Sequence, residues 1–155
     1  MREKPTLLLI GPTPPPYHGV SVAMQILLTS PIQERFRVIH LDLSDRRGIQ
    51  HVDKPDFHDV LLFLRQWMKL ITILFRKRPA LAYLAISQSA VGFIRDSLFI
   101  WPAALFGSRV VLHLHGGNFR VWYETRNSVM KVYVKSALKR VAQVIVLGES
   151  LKGIF

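Results

Sequence analysis

Apolar residues along the chain fall into two alternating patterns. Five short runs are apolar on both faces and rich in β-formers: "TLLLI" (6–10), "RVIHLDL" (37–43), "LAYLAIS" (81–87), "RVVLHLH" (109–115) and "QVIVLG" (143–148). Between them lie longer stretches with helical spacing, at about 20–30, 56–77, 89–106 and 126–141. Strands with two apolar faces, separated by helices, predict a mostly parallel sheet covered on both sides. Right-handed crossovers then give an α/β, doubly wound, Rossmann-like fold.

Turn chemistry sets the boundaries. Asp56 and Ser89 are suited to cap the second and third helices, and Gly107 to end the third. "SDRRGIQHVDKP" (44–55) reads as a polar loop. The chain closes on "ESLKGIF", which reads as the opening turns of another helix. With 155 residues, residues 1–155 suit one domain with a real core, and the open end of the sheet suggests a fragment or a domain that needs a partner.

Ligands of such folds sit beyond the carboxyl ends of the strands, near a reversal of strand order. The residues that follow the strands are therefore the candidates. "GPTPPPYHGVSVAM" (11–24) brings three prolines and then Gly19 to the start of the first helix. A helix N-terminus offers free N–H groups and partial positive charge to a phosphate. Stiff prolines reduce the entropy lost on binding, and Tyr17 and His18 project at the mouth of the sheet. The same stretch also reads as an ordinary Pro-rich surface turn. It has neither the Gly-Lys-Ser/Thr end of a Walker A loop nor a GxGxxG pattern.

"HLHGGNFR" (113–120) puts His113 and His115 on one face of a strand, with His115 as its last residue and Gly116 and Gly117 next. An imidazole beside such a turn can donate a hydrogen bond, polarise a carbonyl or move a proton. A buried histidine satisfied by backbone is the alternative. No acidic residue or third His lies close in sequence, which argues against a two-His metal site. Ser87, Gln88 and Asn118 enter as candidate ligand contacts by their positions after strands.

The net charge of +11, from 21 basic and 10 acidic residues, points to acidic partners. "FLRQWMKLITILFRKR" (63–78) is an apolar helix with a basic end, and Lys131, Lys135 and Lys139 repeat every four residues. Trp67, Trp101 and Trp122 are candidate interfacial anchors. Together these predict association with an anionic membrane surface. The rival assignment packs Phe63, Leu64, Trp67, Leu70 and Ile71 on the sheet. No apolar stretch is long enough to cross a bilayer, and the N-terminus is too short in apolar residues for a signal peptide. Absence of Cys excludes disulfides and thiolate metal sites. A cytoplasmic protein, peripheral on the inner face of the plasma membrane, is the implied location. Nucleic acid is disfavoured, because no RNA- or DNA-binding motif is present.

Taken in order, "GPTPPPYHGVSVAM", "RVVLHLHGGNF" and "VIVLGESLKGIF" resemble the N-terminal domain of GT-B retaining glycosyltransferases of family four, along nearly the whole chain. The first is similar to that family's Pro-Pro-x-x-Gly-Gly-Val loop, the second to its strand ending in His-Gly, and the third to a strand and helix near the domain's end. The resemblance implies an acceptor-side domain that works against a C-terminal domain holding the nucleotide-sugar. Gly19 would offer its N–H to the donor diphosphate, with His18, Gly116 and Gly117 near the phosphates. His115 would contact the transferred sugar as the catalytic residue, and Tyr17, Ser87, Gln88 and Asn118 would meet a glycan or lipid-linked acceptor. No metal or other cofactor is implied. His18 stands where the family has its first loop glycine. The family's Lys/Arg pair and Glu-x7-Glu segment belong to the second domain and have no counterpart here, so this chain alone would catalyse little or nothing. Two rivals remain from the residues themselves: a non-catalytic nucleotide- or lipid-binding module, and a nicotinamide-dependent enzyme, for which Asp42 is the one suitable acid.

Overall fold

Five parallel strands form one sheet in the order β2-β1-β3-β4-β5. They are β1 (Thr6–Gly11), β2 (Arg37–Asp42), β3 (Leu81–Ile86), β4 (Arg109–Leu114) and β5 (Val141–Val146). The computed structural model describes residues 3–44 and 57–154. Helices α1 (Gly19–Thr29) and α2 (Ile32–Arg35) link β1 to β2. Helix α3 (Phe57–Lys77) precedes β3, and α4 (Ala90–Leu105) links β3 to β4. Helices α5 (Phe119–Glu124) and α6 (Ser128–Leu138) precede β5, and a 3-10 helix, Glu149–Ile154, follows it. The fold is α/β and doubly wound, as the apolar pattern predicts.

Strand order and right-handed crossovers decide which face each helix covers. The chain moves one way from β1 to β2 and the other way from β2 onward. One face therefore receives α3, α4, α5 and α6, and the other only α1 and α2. On the first face Leu8, Ile10, Leu84, Leu112 and Leu114 pack with Leu70, Leu74, Phe93, Phe99, Phe119 and Val134, all buried. On the second, Leu7, Leu9 and Tyr83 pack with Met24 of α1. Each fully buried Leu or Phe there contributes roughly 1.5–3 kcal/mol.

Caps follow from short polar side chains. Ser89 accepts from Gly92 N at the start of α4 (3.2 Å), and Asn127 accepts from Met130 N at the start of α6 (2.9 Å). Gly107 ends α4 with φ +87°, a conformation that favours glycine. Asp56 and most of the 44–55 loop lie outside the described residues.

Several boundaries differ from the sequence reading. The predicted 126–141 helix is α6 alone and stops at Leu138, while α5 forms ahead of it. Strand β5 begins at Val141 and ends at Val146, so Leu147 lies beyond it and is exposed. A register irregularity at Val110/Val111, between β4 and β5, accompanies that shift. Strand β4 ends at Leu114, which places His115 just past the strand rather than on it. Leu64 does not pack on the sheet: it is exposed, whereas Leu70 and Leu74 are buried. Trp122 is no surface anchor either. It lies between Phe93 and Phe119, at ring-centroid distances of 5.7 and 5.2 Å.

Candidate functional site

The order of the sheet reverses between β1 and β3, and the loops that leave these two strands diverge there. A cleft of about 510 Å³ opens at that point. From the β1 side it is lined by Gly11, Pro12, Pro16, His18 and Val20, and from the β3 and β4 side by Ser87, Gln88, Arg95 and His115. His18 and His115 thus face one crevice, although 97 positions separate them in sequence (115 − 18).

The proline loop is tied at both ends. Thr13 N donates to Ser44 Oγ (2.9 Å), and Ser44 Oγ donates back to Thr13 O (2.8 Å). The buried Ser21 hydroxyl donates to Pro16 O (2.8 Å) and accepts from His18 N (3.0 Å). His18 in turn caps α1, with Nδ1 accepting from Ser21 N (3.4 Å). This reciprocal capping box leaves the ring proton of a neutral His18 on Nε2. The amides of Gly19 and Val20, in the first turn, have no intrahelical acceptor by helix geometry. A Cβ added at Gly19 would meet no atom within 4 Å, so the space over its backbone is open.

The other rim is built around a histidine pair. The rings of His113 and His115 lie 3.9 Å apart, with 35° between planes. His113 Nδ1 shares a 2.5 Å hydrogen bond with the Tyr83 hydroxyl, which comes from β3 on the same sheet face. Burial pushes the Tyr83 phenol up to about 12. Burial, and then the proximity of His115, holds His113 below the ordinary imidazole value, and burial does the same to His115. Both imidazoles are therefore kept neutral to lower pH than usual, the form that accepts or relays a proton.

The Gly116-Gly117 turn is positioned by a side chain. Gln88 Oε1 accepts from Asn118 N (2.8 Å), and Gln88 Nε2 lies 2.0 Å from where a Gly116 Cβ would stand. A side chain at position 116 would push the Gln88 amide aside and disturb its bond to Asn118 N. Gly19, Gly116, Gly117 and Asn118 do not line the cleft, although His18 and Val20 on either side of Gly19 do. Tyr17 is 78% exposed and also lies outside the lining.

The sequence reading passed over Arg95 and Asp96. Asp96 is 0% exposed and Arg95 50%. Asp96 Oδ2 accepts from Ser87 N (2.7 Å), and its Oδ1 accepts from Arg95 Nε (3.0 Å) and Nη2 (2.8 Å). Arg95 Nη2 also donates to Ser87 Oγ (3.2 Å). The available signal was an adjacent Arg-Asp pair inside the otherwise apolar helix "AVGFIRDSLFIW". Among the described residues, no group of three or more His, Asp or Glu side chains could hold a metal ion. Nor is any helix there long and apolar enough to cross a membrane. Searches with family models, curated proteins and solved structures gave no match to this chain.

Proposed function

We propose that this chain is the acceptor-side domain of a retaining glycosyltransferase. The observation that carries the reading is the shared cleft, with the capped start of α1 on one rim and His115 on the other. In this reading Gly19 N–H and His18 Nε2–H face the diphosphate of a nucleotide-sugar held by a facing domain. His115, neutral and partly desolvated, hydrogen-bonds the sugar being transferred. Stabilisation of the departing diphosphate by fixed donors is the main catalytic term. Ser87 and Gln88 belong to the acceptor side of the cleft. Gln88 acts there first as a support for the glycine turn, and Tyr17 and Asn118 contact acceptor only beyond the cleft itself.

The same reading places the domain on an anionic membrane. Phe57, Leu61, Leu64, Met68 and Phe75 form an exposed apolar stripe along α3, at helical spacing. Val91, Ile94, Leu98, Trp101 and Leu105 form another along α4. Trp67 Nε1 donates to Leu98 O (3.1 Å) and joins the two helices. Arg65, Lys69 and Arg76 flank the α3 stripe, so lipid headgroups and acyl chains would each meet a matching surface. A lipid-linked acceptor would arrive from that side.

The test is a transfer assay on the intact gene product, with a panel of nucleotide-sugars and lipid acceptors. Acceptor-dependent release of nucleoside diphosphate is expected, with the product anomer matching the donor by NMR. Absence of transfer, together with tight nucleotide binding by the 155-residue chain alone, would favour a non-catalytic binding module instead.

A further inference from the structure

Among the described residues, Arg95 is the only arginine or lysine that lines the cleft, and no Asp or Glu lines it. Its guanidinium is not a mobile surface charge. Two of its nitrogens are fixed on the buried Asp96 carboxylate, and one of these also holds Ser87 Oγ. Asp96 is itself anchored by Ser87 N at the end of β3. The third nitrogen, Nη1, has no partner among the described residues. A planar fork held from behind presents its remaining N–H donors in a fixed direction, which suits an oxyanion better than a flexible lysine does. Ser87 Oγ and His115 lie on the same wall.

We propose that Arg95, with Ser87, forms a phosphate-binding subsite in the cleft, separate from the start of α1. Asp96 is its positioning residue. The subsite takes the phosphate of a soluble ester or of a lipid headgroup. Helix α4 carries both Arg95 and the exposed stripe of Ile94, Leu98 and Trp101, so a phosphate borne on lipid can reach one while its chains meet the other. The subsite lies on the acceptor side of the cleft in the glycosyltransferase reading and stands on its own contacts.

The test titrates isotopically labelled protein with inorganic phosphate and follows backbone amides by NMR. Shifts at Ser87, Gln88 and Arg95 are expected. Removing Arg95 alone would leave Asp96 buried without its counter-ion, so the deleting variant is the double Arg95→Gln, Asp96→Asn, which removes both charges and keeps a polar side chain at each position. Its expected affinity is at least tenfold weaker. Arg95→Lys keeps the charge but loses the fork, and is expected to bind several-fold more weakly than the wild type. Binding unchanged in both variants, or shifts confined to residues 18–21, would overturn the subsite. A second arm uses phosphatidylcholine vesicles doped with phosphatidic acid or, at equal charge, phosphatidylglycerol. An Arg95-dependent preference for phosphatidic acid assigns the site to a lipid headgroup. Inorganic phosphate binding without that preference assigns it to a soluble ester. Absence of phosphate binding by the wild-type protein, with sugar transfer intact, sinks the subsite alone. Phosphate binding in a protein without transfer activity sinks the glycosyltransferase reading alone.

Discussion

The two faces of the sheet are built differently. One is covered by α3, α4, α5 and α6 and holds most of the buried side chains. The other is covered by α1 and α2, and its buried cluster reduces to Leu7, Leu9, Met24 and Tyr83. On that thin face, toward β4 and β5, polar groups replace leucines: Tyr83, His113 and then His115 at the strand end. Parallel strands normally carry apolar residues on both faces. A phenol on β3 and two imidazoles at the end of β4 give up apolar burial in return for a fixed, partly desolvated polar array. The thick face holds most of the apolar burial, and the thin one holds this polar array.

That contrast is broken most severely by a cavity on the thick face. Leu112→Ala removes a fully buried side chain from the middle of the larger cluster and should cost about 3–4 kcal/mol, read by urea denaturation. His113→Gln on the neighbouring thin face should cost much less. Equal costs would mean that the two faces share the stabilising role.

Next in size is Asp96→Ala. It strips Ser87 N of its acceptor and Arg95 of its counter-ion, and should destabilise by about 2–4 kcal/mol. A loss below 1 kcal/mol would show that the pair is not structurally coupled to the end of β3.

A smaller effect sharpens the histidine side. The folded-state values of His113 and His115 lie below the unfolded value of 6.5, so the unfolded chain takes up protons first as pH falls. Stability contributed by the neutral pair is therefore complete above 6.5 and declines as pH drops from there through the lowered folded values. The double variant His113→Gln, His115→Gln should flatten this part of the stability–pH curve. An unchanged slope would relocate the dependence to other groups.

Smallest is Gly19→Ala. Open space over Gly19 means that alanine should leave folding unharmed, or stabilise α1 by up to about 1 kcal/mol through its higher helix propensity. If a diphosphate approaches that backbone, the same change should weaken nucleotide-sugar use by the intact gene product. A variant with full stability and full activity would remove Gly19 from the site.

Much of the architecture was legible in the residues. Runs such as "TLLLI" and "RVVLHL" have no other stable home than a covered parallel strand, and Ser89 and Gly107 carry their structural roles in their chemistry. Limits appear where tertiary packing overrides local pattern. The apolar run continues to Leu147, but the β4–β5 register closes the strand at Val146. Leu64 has the same helical spacing as the buried Leu70 yet falls on the outer side of α3. In the site, His18 and His115 were visible as residues that follow strands. Arg95 and Asp96 were not, because neighbouring opposite charges on a helix look like ordinary surface until the fold buries one of them. Gln88 likewise had a position but no partner until Asn118 came within reach.

The most direct measurement of the central claim is sugar transfer by the intact gene product and by its His115→Ala variant, at matched thermal stability. Loss of an activity-specific contact predicts a fall on the order of 100-fold in turnover, with the fold unchanged. Transfer at the wild-type rate would contradict the assignment of this crevice as the place where the sugar changes hands.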